Sequence, residues 1–281
     1  MKNKITTVIL IIILLAGLSL LLYPTVSDYW NSFHATRAVA TYEKEVADLN
    51  EEEYNRILAD AAAYNQTLAS KEQKFELSAE EKANYEKQLD FSDTGMMGYL
   101  EIPAIHCTLP IYHGSSDEVL QIAVGHLEWS SLPVGGESSH CVLSGHRGLP
   151  SAKLLSNLDR LTEGDTFMLK VLNETLTYEV DQILIVLPEE TDALLIEDGK
   201  DLCTLVTCTP YGINTHRLLV RGHRVANTED AAKVTADALR ITPLYVVPLI
   251  AVPLLLVAFI LLFVTDRKRK SRGGESRESK K

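Results

Sequence analysis

The sequence predicts a mainly β domain, a barrel or a sandwich, preceded by helices and held outside a membrane by an apolar helix at each end. Three observations carry this. After Gly95, short runs rich in Val, Ile, Leu and Tyr alternate with Gly, Pro, Ser and Asn clusters, the grammar of strands and turns. Two charge-free apolar blocks of roughly twenty residues, Ile5 to Tyr23 and Leu244 to Val264, are long enough to cross a ~30 Å hydrocarbon core. Between the first block and Gly95 the apolar residues recur at threes and fours, as on one face of a helix.

In chain order, Lys2 and Lys4 precede the first block, and RKRK at Arg267 to Lys270 follows the second. Basic flanks stay cytoplasmic, so both ends are expected inside and the middle outside. No A-x-A-like site follows the first block, which favours an uncleaved anchor over a cleaved signal peptide. Pro248 and Pro253 interrupt the second block, and membrane helices tolerate them when neighbouring groups satisfy the freed carbonyls. The expected order is a cytoplasmic start (1–4), a membrane helix (5–23), an external helical stalk or lid-like region (24–94), a β domain (95–226), a linker (227–243), a second membrane helix (244–264) and a basic, disordered tail (265–281).

Within the stalk, Val39, Tyr42, Val46, Leu49, Ile57, Leu58 and Leu68 predict helix from about Ser32 to Ala69. SAEE then offers Ser78 as N-cap with Glu81 three residues on, a capping box opening a helix that runs to about Leu89. Strands are expected at Met97–Ile102, Leu109–Tyr112, His140–Ser144, Thr166–Leu172, Thr175–Leu187, Leu202–Cys208 and Leu218–Val225. Asn173-Glu174 reads as a tight hairpin connection. Lys153–Leu161 reads as a short helix, and Ser115–Gly125 as holding one helical turn.

Setting aside Lys2, Lys4 and the eight basic and three acidic residues after Thr265, 17 of 27 basic and 35 of 38 acidic residues remain, a net charge near −18. So acidic an external region excludes nucleic acid as a partner and suits solubility outside the cell. Four cysteines lie there: Cys107, Cys141, Cys203 and Cys208. The count allows one or two bridges, small buried side chains, or a free nucleophile. His106 beside Cys107 and His140 beside Cys141 match no common zinc spacing, and no motif points to a nucleotide, haem or required metal.

Three residues could work together. TLVTC alternates, so Cys208 ends its strand on the face opposite Cys203, at a rim where a substrate can reach it. His146 follows the apolar run CVLSG, again just past a strand end. Arg217 opens the next strand nine residues after Cys208, and a strand–turn–strand of that length returns the guanidinium beside the thiol. Attack on an amide needs a thiolate, a proton donor for the leaving amine and positive charge for the oxyanion, one from each residue. With ordinary pKa values of about 8.5 for a thiol and 6.5 for an imidazole, the neighbouring charge would raise the thiolate share.

The stretch TLVTC matches the TLxTC signature of the sortases, transpeptidases of Gram-positive cell surfaces. GYLEIP, LPVGGESSHCVLSGHRGLP, LLSNLDRL and TLVTCTPYGINTHRLLVRGHR extend the resemblance to the pilin-polymerising class C group, from about Gly95 to Arg224. Two membrane segments also suit that group. The resemblance implies a closed eight-stranded barrel, with Cys208 as nucleophile, His146 as acid/base, Arg217 as oxyanion stabiliser, and Thr207 helping to shape the pocket. No motif in the sequence points to a cofactor. The implied reaction cleaves an LPxTG-like sorting signal between Thr and Gly through a thioacyl enzyme. The acyl group then passes to a lysine of another pilin subunit. Attachment to a peptidoglycan precursor is the same-chemistry alternative, and a non-catalytic surface scaffold is the alternative of another class. Many pilin sortases carry a lid with an Asp-Pro-aromatic plug. Leu58 to Gly98 has no proline, which predicts a divergent or absent lid, with Asp90-Phe91 the nearest substitute.

Overall fold

The computed structural model describes residues 2–70, 75–92 and 94–227. The second apolar block and the basic tail lie outside them. Helix α1 (Lys2–Asp48) runs without a break through the first apolar block and into the stalk, with Pro24 inside it. The expected single helix from 32 to 69 is in fact two. Asn50 interrupts it, because its side chain accepts from Glu53 N and starts α2 (Glu51–Ala69), whose first turn carries three glutamates. Helix α3 (Ala79–Tyr85) opens on the Ser78–Glu81 capping box, with both reciprocal bonds formed. It stops four residues before Leu89, which takes a left-handed φ of 55°.

Eight strands close a barrel: β1 (Met96–Ile102), β2 (Cys107–His113), β3 (Val124–His126), β4 (Ser139–Ser144), β5 (Thr166–Val171), β6 (Glu174–Val186), β7 (Asp201–Thr209) and β8 (His216–Val225). Around the barrel the order is β1-β2-β3-β4-β7-β8-β6-β5, with β5 returning to β1. The pairs β2–β3 and β4–β7 are parallel and the rest antiparallel. Of the segment 115–125, one turn is α4 (Asp117–Leu120) and the end enters β3, a strand absent from the sequence reading. Lys153–Leu161 is not an α-helix. Leu154 sits at φ 41°, and only a 3-10 turn forms, at Leu158–Arg160. The β5–β6 turn is Leu172-Asn173, one residue earlier than expected, since Val171 pairs with Glu174 and Leu172 takes the positive φ.

Alternation along the strands separates two apolar groups. Cys141, Leu143, Cys203, Leu205, Leu218 and Val220 point into the main core with Leu100, Ile111, Phe167 and Tyr178. Val142, Val206 and Leu219 point outward, under Leu194. Barrel closure needs Gly98: a Cβ there would lie 2.4 Å from the Lys170 carbonyl oxygen across the β1–β5 seam.

Tyr42 of α1 seals the same seam. Its buried hydroxyl donates to Met97 O (2.9 Å) and accepts from Leu172 N (2.8 Å). Burial pushes its phenol well above the usual range, so it remains a donor. Tyr42→Phe leaves a buried N–H and C=O unpaired and is expected to cost about 2–4 kcal/mol. Urea unfolding followed by tryptophan fluorescence checks this, and a loss below about 0.5 kcal/mol would show that water replaces the phenol.

Candidate active site

The outer face of β4, β7 and β8 holds the residues singled out in the sequence. Cys208 on β7 and Arg217 on β8 are direct register partners in the antiparallel ladder. Such a pair holds Cβ atoms about 4.5–5.5 Å apart. Both are half-buried, and Cys208 is a free thiol. The Arg217 guanidinium donates through Nη1 to the carbonyls of His216 (3.2 Å) and Asn214 (3.4 Å), across the mouth of the β7–β8 turn. Val186, at the end of β6, pairs with Arg217 on its other side.

His146 arrives by the parallel pairing. Ser144 is the register partner of Val206, and Gly145 N donates to Val206 O at 3.0 Å. β4 ends at Ser144, and the Gly145 bond carries the chain one residue further along β7, so His146 follows just past the strand end, on the side of β7 that runs on to Cys208. His140, Val142 and Ser144 share one parity on β4, the parity that faces outward with Val206, and His146 continues it two residues past the strand end. Thus thiol and guanidinium sit on adjacent strands, and the imidazole follows the end of β4, the neighbour of β7 on its other side.

Thr207 sits differently from an open pocket wall. It is buried on the opposite face of β7 from Cys208, and its hydroxyl donates to Gly145 O at 2.7 Å. It ties the residue before His146 to the residue before Cys208. The other thiols lie elsewhere. Cys141 and Cys203 are buried register partners inside the barrel, unbridged, and burial holds the Cys203 thiol above its ordinary value. The Cys107 thiol donates to Leu154 O at 3.6 Å.

Two walls flank the face. One is the lobe after β4, where Leu155 N donates to His146 O and Gly148 N to Ser156 Oγ. Arg147 fastens it by bonding Asp159 (2.5 Å) and Thr209 Oγ1 (3.3 Å), with Tyr211 of the β7–β8 turn below its guanidinium. Gly148, at φ 78°, lets that ring approach, because a Cβ would meet it at 3.3 Å. The second wall is the segment between β6 and β7. His140 donates from Nδ1 to Leu195 O (2.8 Å), so its Nε2 accepts from Thr204 Oγ1 (2.7 Å). Burial holds this imidazole below its ordinary pKa and keeps it neutral. Arg221 adds a bidentate pair with Asp181 and a bond to Glu197. Neither His140 nor Arg221 is among the three residues singled out from the sequence. Their signal was parity: both share the outward face with His146 and Arg217.

The substitute plug is not at this end. Phe91 packs on Tyr42, ring centroids 5.5 Å apart, beside the β5–β6 turn. That turn opens β6, whereas Arg217 pairs with its last residue, about 40 Å along an extended strand. A cleft of about 520 Å³ between α2 and α3, lined by Arg56, Tyr64, Glu81 and Asp90 among others, contains none of the three candidate residues.

Residues 100–225, which include all three, match the sortase domain model. The crystal structure of sortase C1 from Streptococcus agalactiae is 52% identical, with TM-score 0.67, and the match covers 68% of this chain and all of that one. The chain belongs to the sortase family. Sortases are cysteine transpeptidases, and this one has other class C structural relatives. Sortase C of Streptococcus pneumoniae is 41% identical (TM-score 0.61, 68% of this chain, 98% of that one). Clostridium perfringens sortase C, solved with its C-terminal cell wall sorting motif, is also 41% identical (TM-score 0.60, 69% and 100%). Sortase D of Bacillus subtilis is 33% identical over 131 residues, 46% of this sortase and 63% of that protein.

Proposed function

We propose that this sortase polymerises pilins on the outer face of a Gram-positive membrane, anchored by helices at 5–23 and 244–264, with 265–281 in the cytoplasm. Its substrates are subunits carrying an LPxTG-like signal and an acceptor lysine. The observation that carries the reading is the Cys208–Arg217 cross-strand pair, with His146 just past the end of the parallel neighbour β4. The class C neighbours at 41–52% identity support the pilin assignment over wall attachment.

The Cys208 thiolate attacks the carbonyl carbon of the signal's Thr. Negative charge gathers on the carbonyl oxygen, where the Arg217 guanidinium offsets it. The C–N bond to Gly breaks as His146 gives its proton to the departing amine, leaving a thioester. A lysine amine then attacks that thioester. His146 takes up the amine's proton, the C–S bond breaks, and an isopeptide bond and the original thiolate result. Thr207 is a positioning residue here. Its bond to Gly145 O holds the chain just past β4 against β7, one residue before His146.

The test incubates the full chain, in detergent, with a fluorescent LPxTG-like peptide. Mass spectrometry is expected to find a thioacyl adduct on Cys208. No adduct on an accessible thiol would favour the non-catalytic scaffold. Purified pilin should then give a polymer ladder. Transfer to a peptidoglycan-precursor amine without a ladder would favour wall attachment.

A further inference from the structure

We propose that α1, just beyond its apolar block, is an interfacial segment whose aromatic stripe rests on the lipid surface and carries the catalytic barrel on its opposite face. The inference rests on the membrane anchoring proposed above. Tyr23, Val26, Trp30 and Phe33 follow one another by three, four and three residues, one face of a helix. All four are exposed, Trp30 at 62% and Phe33 at 52%. The His34 ring touches both of the last two, tilted against Trp30 (centroids 4.7 Å apart) and edge-on to Phe33 (5.8 Å).

The other face belongs to the barrel. Asp28 accepts from Lys153 N at 2.8 Å, Asn31 donates to Ser151 O at 2.9 Å, and Ala35 and Tyr42 are buried. Asp28 and Trp30 lie about 200° apart around the helix. The aromatic stripe therefore points away from the protein that α1 supports.

The stripe also has a definite end. Continuing the same face past Phe33 gives Arg37, Thr41 and Lys44, all exposed. Along α1, large exposed apolar side chains are thus confined to the apolar block and the next three turns. That is where a lipid surface would meet the helix, and aromatic rings favour the headgroup level. A protein partner on the stalk would have no reason to stop there. An upright helix would carry Phe33 about 15 Å beyond Tyr23, past a headgroup layer of about 5–7 Å. A lean toward the aromatic side, within the usual range of up to about 40°, cuts that rise to about 11 Å and turns the rings down toward the layer. The barrel then rides above the helix. Its lobe from His146 to Ser156, clamped at Ser151 and Lys153, stays at a fixed short height over the bilayer.

The chain has two tryptophans, Trp30 and Trp129, so Trp129→Phe leaves Trp30 as the reporter. In phosphatidylcholine vesicles, Trp30 emission is expected to fall at least about twofold with lipids brominated near the headgroup, and less with deep bromines. The double variant Trp30→Ser, Phe33→Ser should take a lipid-anchored sorting peptide several-fold more slowly, and a soluble peptide at the parent rate. Emission that is blue-shifted but unquenched would mean that protein covers the stripe, either a second copy or the chain's own 244–264 segment. It would overturn the proposal, as would equal rates on both peptides. A chain that floats with vesicles yet shows no quenching overturns this inference alone. A chain that does not float overturns the anchoring reading and this one together.

Discussion

Cys208→Ala is expected to remove the thioacyl adduct altogether and to lower transfer by about 10⁴-fold or more, the scale seen when a covalent nucleophile is deleted. No other thiol can stand in. Cys141 and Cys203 face into the barrel and are 2% and 0% exposed, and Cys107 sits on β2 with its thiol donating to a carbonyl. Neither buried thiol can reach a peptide lying on the outer face of β7. The single variants Cys107→Ala, Cys141→Ala and Cys203→Ala should therefore keep most of the turnover once differences in folded fraction are corrected. The measurement is intact-mass spectrometry after incubation with the signal peptide. An adduct that survives in Cys208→Ala and maps to another cysteine would remove Cys208 from the centre of the mechanism.

The second large effect belongs to His146. An amide nitrogen is a poor leaving group unless it gains a proton as the C–N bond lengthens, and removing that donor typically costs 10²–10⁴-fold. His146→Ala should therefore form the same adduct on Cys208, but at least about 10²-fold more slowly. The chemistry supplies its own control. A substrate whose leaving group departs without a proton, such as an activated ester of the same peptide, should recover much of the lost rate. A variant that acylates within about threefold of the parent on the amide would show that another group donates the proton. Equal losses on amide and ester would instead indicate that His146 holds the site's shape.

The strand–turn–strand from Thr204 to Gly222 was the most readable part of the chain. Two alternating runs joined by Pro210 and Gly212 specify their own pairing, and the register sets Cys208 opposite Arg217. His146 was readable only as a residue past a strand end. What brings it to the thiol is the parallel β4–β7 ladder, and pairing across some sixty residues leaves no local pattern. Resemblance supplied that part. Strand β3 escaped because three residues, Val124, Gly125 and His126, cannot show alternation. The break at Asn50 was hidden by apolar spacing that continues across it, although an Asn followed by three glutamates is a helix-start signal. The turn after β5 moved by one residue because Tyr42, far away in sequence, holds Leu172 N.

The parallel ladder between β4 and β7 also bears on when activity can arise during biogenesis. An emerging polypeptide presents His146 well before Cys208 has been made, and β7 must then pair with β4, some sixty residues earlier, before the two are neighbours. Long-range pairings of this kind form late and slowly. Reactivity is thus withheld from incomplete or partly folded copies by connectivity alone, with no inhibitory segment required.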